Sequence, residues 1–166
     1  NRGDNSLFVR VIRTGVPIEG IEEPAESNIN MTVRYEDMNG NALDPASISQ
    51  GTDFVAMVKV TNPGFRGDYE EMAITQIFPA GWEIINTRLD DVVQAYQSDE
   101  PEYQDIRDDR VMTYFDLRKN ATATFRILLN ASYRGRYYLP AVFVEAMYDN
   151  SIAGNTAGKW VEVTAE

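Results

Sequence analysis

The chain has 166 residues and a mass of 18.8 kDa, which fits one domain with a short appendage. Its 15 basic and 26 acidic residues give a net charge of −11, so we expect no binding to nucleic acid phosphates. The sequence contains no His and no Cys, which excludes Ser-His and Cys-His catalysis, disulfides and the usual zinc, haem and iron–sulfur sites. No apolar run approaches the roughly 18 residues that span a bilayer, so direct membrane insertion is not expected.

Alternating apolar side chains predict β-strands along most of the chain. The alternation is clearest in Phe54–Thr61 and in Phe125–Ala131, where every second residue is apolar. Shorter runs of the same kind are Leu7–Thr14, Ile29–Asp37, Glu71–Phe78, Trp82–Asn86, Arg110–Leu117, Tyr137–Tyr148 and Lys159–Val163. Many strands with few helical stretches indicate an all-β sandwich or barrel.

Turn-forming residues separate these runs. Asn39-Gly40, Asn62-Pro63-Gly64, Pro79-Ala80-Gly81 and Arg134-Gly135 are tight-turn sequences. Gly67 in Arg66-Gly67-Asp68 is interpreted as a turn former, although the tripeptide also matches the integrin-recognition sequence. Asn120 lies between two strand candidates and predicts a hairpin there.

Two segments before residue 110 depart from the strand pattern. Leu89, Val92, Val93 and Tyr96 fall at helical spacing and predict a short helix near residues 89–97. The polar, acidic segment Ser98–Asp109 is interpreted as a loop.

The acidic loop offers the only metal ligands that we single out. Asp105, Asp108 and Asp109 are weak calcium candidates, because Ca²⁺ prefers six to eight oxygen ligands. The spacing of an EF-hand is absent, so a solvated acidic loop remains the alternative interpretation.

Clustered aromatic residues also have two interpretations. Tyr133, Tyr137, Tyr138 and Phe143 crowd one predicted hairpin, and Trp82 and Trp160 flank other turns. Exposed aromatics on a β-sandwich can stack on sugar rings. Packing in the core or at an interface is the alternative.

An ordered set of segments in the second half of the chain resembles a known family. The segments are Gln76–Ile84, Asp105–Val111, Tyr114–Leu117, Gly135–Ala141, Glu145–Asp149 and Gly158–Val163, preceded by Met31–Tyr35, Asn39-Gly40 and Gln50–Asp53. Together they resemble the C-terminal macroglobulin-like domain of bacterial alpha-2-macroglobulins, over about residues 28–166.

The resemblance implies an antiparallel β-sandwich of about seven to nine strands, similar to fibronectin type III domains. It implies a domain at residues 28–166, preceded by a strand of another domain at Leu7–Thr14 and a linker at Gly15–Ser27. The parent proteins are large extracytoplasmic protease traps, often lipid-anchored in the periplasm. The expected partners are the other domains of the same polypeptide and, through the whole protein, the target proteases.

The same resemblance implies a role for one tyrosine. In family members with a reactive thioester, a Tyr on a loop of this domain shields the bond from water, and Tyr148 matches that position. The expected function is therefore interdomain packing, with no enzymatic activity and no cofactor. The alternative is a carbohydrate-binding or adhesive sandwich module of a bacterial surface protein.

Overall fold

The two runs with the clearest alternation lie at the centre of a sheet. The computed structural model describes residues 10–12, 22–85 and 98–165. Within them the strands are β1 (Ala25–Ser27), β2 (Asn30–Asp37), β3 (Ser47–Ser49), β4 (Asp53–Thr61), β5 (Tyr69–Ile77), β6 (Trp82–Ile84), β7 (Tyr103–Ile106), β8 (Arg110–Leu117), β9 (Thr122–Ala131), β10 (Gly135–Leu139), β11 (Phe143–Ala146), β12 (Asp149–Asn155) and β13 (Lys159–Thr164). β4 pairs antiparallel with β9 along its whole length.

The described strands form three sheets, which are arranged in two layers. The six-stranded sheet has the order β1-β12-β11-β5-β8-β7, and the four-stranded sheet has the order β2-β4-β9-β6. The three-stranded sheet has the order β10-β13-β3. Its β13–β3 pair is parallel, and the other pairs between the described strands are antiparallel.

Among the described residues, the core consists of two clusters on the inner face of the four-stranded sheet. In the first, Val58 and Phe125 pack against Ile74 and Phe115 of the six-stranded sheet. The Phe115 and Phe125 rings lie 4.7 Å apart. In the second, Phe54 and Trp82 are packed edge to face at 4.9 Å and meet the three-stranded sheet. Each cluster buries apolar area from both layers, which holds the layers together.

The predicted fold class is confirmed: the described residues form an all-β sandwich with no helix. The number of strands exceeds the predicted seven to nine, because several strands have only three to five residues. The helix predicted near residues 89–97 lies outside the described residues. So does most of the strand predicted at Leu7–Thr14, of which residues 10–12 are described and are not in a strand.

Three local predictions were wrong. Ala25–Ser27, assigned to the linker, forms β1 and pairs with β12. The acidic loop contains β7, an edge strand that pairs with β8, and charged side chains are common on exposed sheet edges. The turn at Asn120 is not a hairpin, because β8 and β9 belong to different sheets and the chain crosses between layers there.

The described residues contain no helix that is long and apolar enough to cross a membrane.

Candidate functional site

Tyr148 lies at the tip of the β11–β12 hairpin. Ala146 pairs with Asp149, so Met147 and Tyr148 alone form the turn. The Tyr148 side chain is 88% exposed, more than any other large apolar or aromatic residue in the described part of the chain. A two-residue turn leaves little conformational freedom, so the ring projects from a defined position.

The first side of this turn is attached to the neighbouring strand β5. The Met147 N–H donates to the Glu71 carbonyl oxygen at 3.0 Å. Glu71 has a φ of 53° in an irregular part of β5, and its own N–H donates to Asp116 Oδ1 at 2.9 Å. A non-glycine residue in the left-handed region is uncommon, and here it turns the Glu71 carbonyl towards the hairpin.

Hydrogen bonds and an ion pair hold the second side of the turn. Ser151 donates to Asp149 Oδ1 through its N–H at 3.0 Å and its hydroxyl at 2.5 Å. These bonds hold the pKa of Asp149 below its usual value of 3.8. Arg66 donates to Ser151 Oγ at 2.8 Å and lies 3.6 Å from Asp149 Oδ2. Asp149 is therefore ionised at neutral pH and fixed beside Tyr148.

A surface hollow of about 600 Å³ lies next to the turn, between Arg66, Glu70 and Tyr148. An exposed tyrosine ring beside a polar hollow can cover a group on another surface and keep water from it.

A larger hollow of about 710 Å³ lies between the end of β2 and the start of β13. There the Lys159 ammonium lies 5.6 Å from the centroid of the Tyr35 ring, a cation–π distance. Burial lowers the pKa of Lys159, and the charge of Asp44 opposes this shift. The contact joins the four-stranded sheet to the three-stranded sheet, and we interpret it as structural.

The structure does not bring the three calcium candidates together. Arg107 binds Asp105 at 2.9 Å. Arg110 binds Asp109 at 2.7 Å, and the hydrogen bonds from Arg110 lower the pKa of Asp109. Asp108 lies in the turn between β7 and β8. In the part of the chain that the structure describes, no three acidic side chains are arranged to hold a metal ion.

The predicted aromatic cluster is divided between several surfaces. Tyr138 and Trp160 pack edge to face at 5.7 Å on the outer face of the three-stranded sheet, where Arg136 lies over Trp160 at 4.8 Å. The interplanar angle of 65° does not make a flat platform for a sugar ring. Tyr133 donates to Glu83, and Trp82 is buried in the core. These contacts favour packing over sugar binding.

The residues that support Tyr148 were not predicted from the sequence. The Asp149-Asn150-Ser151 sequence carries a local signal, since an Asp side chain often accepts bonds from the residue two positions later. Arg66 and Glu71 lie more than 70 positions before Tyr148 in the sequence, and only the fold brings them to it.

A family model and several relatives identify the family of this chain. The family described as the bacterial alpha-2-macroglobulin MG10 domain matches residues 29–150. Alpha-2-macroglobulin of Xylella fastidiosa (strain Temecula1) is 24% identical over 166 residues, which cover 92% of this chain and 10% of the relative.

Two solved structures show the same fold. The crystal structure of Salmonella alpha-2-macroglobulin reacted with methylamine is 23% identical, with a TM-score of 0.76 over 88% of this chain and 10% of that chain. Trypsin-activated alpha-2-macroglobulin from Escherichia coli is 17% identical, with a TM-score of 0.72 over 86% of this chain and 11% of that chain. The chain therefore spans about a tenth of the length of the relatives it matches.

Proposed function

Because the chain belongs to the family of MG10 domains of bacterial alpha-2-macroglobulins, we propose that it is the C-terminal packing domain of a broad protease inhibitor. The domain is non-enzymatic and contacts the other domains of the same polypeptide. The whole protein is extracytoplasmic, either lipid-anchored in the periplasm or secreted. When a protease cuts its bait segment, the protein rearranges and captures that protease.

Two of the relatives support this proposal. The Escherichia coli protein has been solved in a trypsin-activated form, so a protease changes its state. The Salmonella protein has been solved after reaction with methylamine. A small amine attacks a thioester to form an amide and release a thiol. The reaction with methylamine is therefore consistent with a thioester in that relative.

Within this function, Tyr148 covers the thioester of the neighbouring domain. The observation that carries this role is the 88% exposure of Tyr148 on a turn that is fixed from both sides. An exposed aromatic ring contributes nothing to its own core, whereas it buries substantial apolar area when a neighbour packs against it. Excluding water slows hydrolysis of a reactive acyl group.

The test uses the full-length parent protein. Tyr148→Gly removes the ring. We expect the thioester lifetime, measured by the release of free thiol, to fall by about tenfold or more. A tenfold fall corresponds to a loss of about 1.4 kcal/mol from the activation barrier for hydrolysis. Tyr148→Phe keeps the ring and should retain most of the protection. Tyr133→Gly is the matched control, because Tyr133 is also exposed but lies in the connection between β9 and β10.

An unchanged lifetime in Tyr148→Gly, or a parent protein without a thioester, would contradict the role of Tyr148. Equal effects of Tyr148→Gly and Tyr133→Gly would indicate a general loss of stability and would also contradict it. A specific glycan bound by the isolated domain would instead favour an adhesive module.

A further inference from the structure

The segment that precedes the sandwich is attached to the strand that presents Tyr148. We call residues 22–28 the N-terminal strap. At its start the Tyr138 hydroxyl donates to Glu22 Oε2. A Cβ on Gly158 would overlap both Tyr138 Oη and Glu22 Oε2, so the backbone at Gly158 makes room for this hydrogen bond. The strap is therefore anchored to the three-stranded sheet.

The middle of the strap pairs with β12. Asn155 Nδ2 donates to the Glu23 carbonyl oxygen at 2.9 Å. Three residues of β1 then pair with β12, from Ala25 opposite Asn155 to Ser27 opposite Ala153. β12 has β11 on its other side, so the strap converts β12 from an edge strand into an internal one.

The end of the strap holds the irregular part of β12. The β11–β12 register shifts after Glu145, and residues 150–152 have no partner in β11. The Ser27 hydroxyl and Asn28 Nδ2 both donate to the Ser151 carbonyl oxygen, at 2.8 and 2.9 Å. The N–H and hydroxyl of Ser151 in turn hold Asp149, the residue after Tyr148.

We propose that the N-terminal strap positions the Tyr148 hairpin, so that displacement of the chain before residue 22 loosens the hairpin. A continuous series of contacts joins Glu22 to Ser151 and Asp149 along β12. When a neighbouring domain moves and pulls on the strap, β1 separates from β12 and the Ser151 carbonyl oxygen loses its two donors, Ser27 and Asn28. The consequence for the thioester rests on the proposed function of Tyr148, whereas the coupling itself does not.

Hydrogen exchange on this chain tests the coupling. Glu22→Ala and Tyr138→Phe each release the start of the strap, and Ser27→Ala combined with Asn28→Gly releases its end. Glycine suits the φ of 54° at Asn28 and removes only the side-chain donor. We expect the amides of Met147 and Ser151 to exchange about tenfold faster, while amides in β4 and β9 keep their rates.

Glu23→Gln is the matched control, because Glu23 contributes its backbone carbonyl to the strap. A site-resolved titration of Tyr138 verifies that the hydrogen bond to Glu22 is lost. The hydrogen bond to Glu22 raises the pKa of Tyr138 to about 12, and this pKa should fall towards 10.0 in Glu22→Ala.

Unchanged exchange at Met147 and Ser151 in a variant whose Tyr138 pKa has fallen would overturn the coupling. A uniform acceleration across all strands would also overturn it, since the strap would then act only on global stability. The shielding role alone would be refuted by a different pair of results. In that case the strap variants show faster exchange at the hairpin, but Tyr148→Gly leaves the thioester lifetime of the parent protein unchanged.

Discussion

Two buried amide side chains show how differently single polar residues contribute to this fold. Asn62 is 0% exposed and uses its amide fully: Nδ2 donates to the Gly67 and Leu117 carbonyls, and Oδ1 accepts from the Gly64 N–H. Gln76 is 1% exposed, and neither of its amide atoms has a hydrogen-bond partner among the described residues. Burial of a polar group without a partner costs free energy, so the two residues have opposite effects on stability.

We predict that Gln76→Met raises the free energy of unfolding by about 1 kcal/mol, because Met has a similar volume and no amide to desolvate. Asn62→Leu should lower it by about 3 kcal/mol, because three backbone groups lose their partner. Chemical denaturation of both variants measures these changes. Destabilisation by Gln76→Met would show that the Gln76 amide is satisfied in solution.

At the level of strands and turns, the long strands were predicted correctly because their signal is a local periodicity in the sequence. Arg110–Leu117 was predicted as a strand and forms β8 with the same bounds. The long strands β4 and β9 also followed from alternation, because one face of each is buried in the core. These elements carry their own signal, since the period-two pattern extends over eight or more residues.

The elements that were missed depend on distant partners. β1 pairs with β12 more than 120 residues later, and β3 pairs with β13 more than 110 residues later. Three residues are too few to show a period, so only their partners define these strands. The same reason explains the Tyr148 site: its position followed from a resemblance, whereas Arg66, Glu71 and the strap are brought to it by tertiary structure.

Two turn glycines have the same backbone conformation but differ in how crowded their surroundings are. Gly40 and Gly64 both have a φ of 82°. A Cβ on Gly40 would meet nothing within 4 Å, whereas a Cβ on Gly64 would overlap the Asn120 amide group. The turn after β4 thus packs closely against the connection between β8 and β9, and this contact joins the two layers at one end.

We predict that Gly40→Ala lowers the free energy of unfolding by about 1 kcal/mol, the cost of a side chain at positive φ. Gly64→Ala should lower it by about 3 kcal/mol, because crowding against Asn120 adds to the same backbone cost. Thermal unfolding of both variants gives the difference. Equal losses would mean that Asn120 moves away without cost.

At the level of the whole molecule, the charge of −11 adds repulsion between acidic side chains. One such contact lies near the hairpin that carries Tyr148. The charge of Asp116, with partial desolvation and the charge of Glu71, raises the pKa of Glu102 above its usual value of 4.5. Asp116 also accepts the Glu71 N–H bond that supports the Met147 contact. Repulsion among these acids therefore acts next to the proposed packing surface.

The raised pKa of Glu102 sets the direction of the pH dependence. A group whose pKa is higher in the folded state stabilises the fold below its unfolded value of 4.5, and this contribution is lost as the pH rises through the folded pKa. The pKa values of Asp37, Asp109 and Asp149 are lowered in the folded state. Their contribution to stability is therefore present above pH 3.8 and is lost at lower pH. Among these four groups, only Glu102 has a raised pKa, so it alone makes the fold less stable as the pH rises above 4.5.

We therefore predict that the melting temperature rises as the pH falls from about 7.5 to about 5. Glu102→Gln should raise the melting temperature at the upper end of this range and flatten its pH dependence, because the repulsion of Asp116 is removed. Glu100→Gln removes the same charge two residues earlier and serves as the control in calorimetry. If both variants flatten the profile equally, net charge rather than the Glu102–Asp116 contact governs the pH dependence. If neither does, the repulsion at Glu102 has no effect on stability.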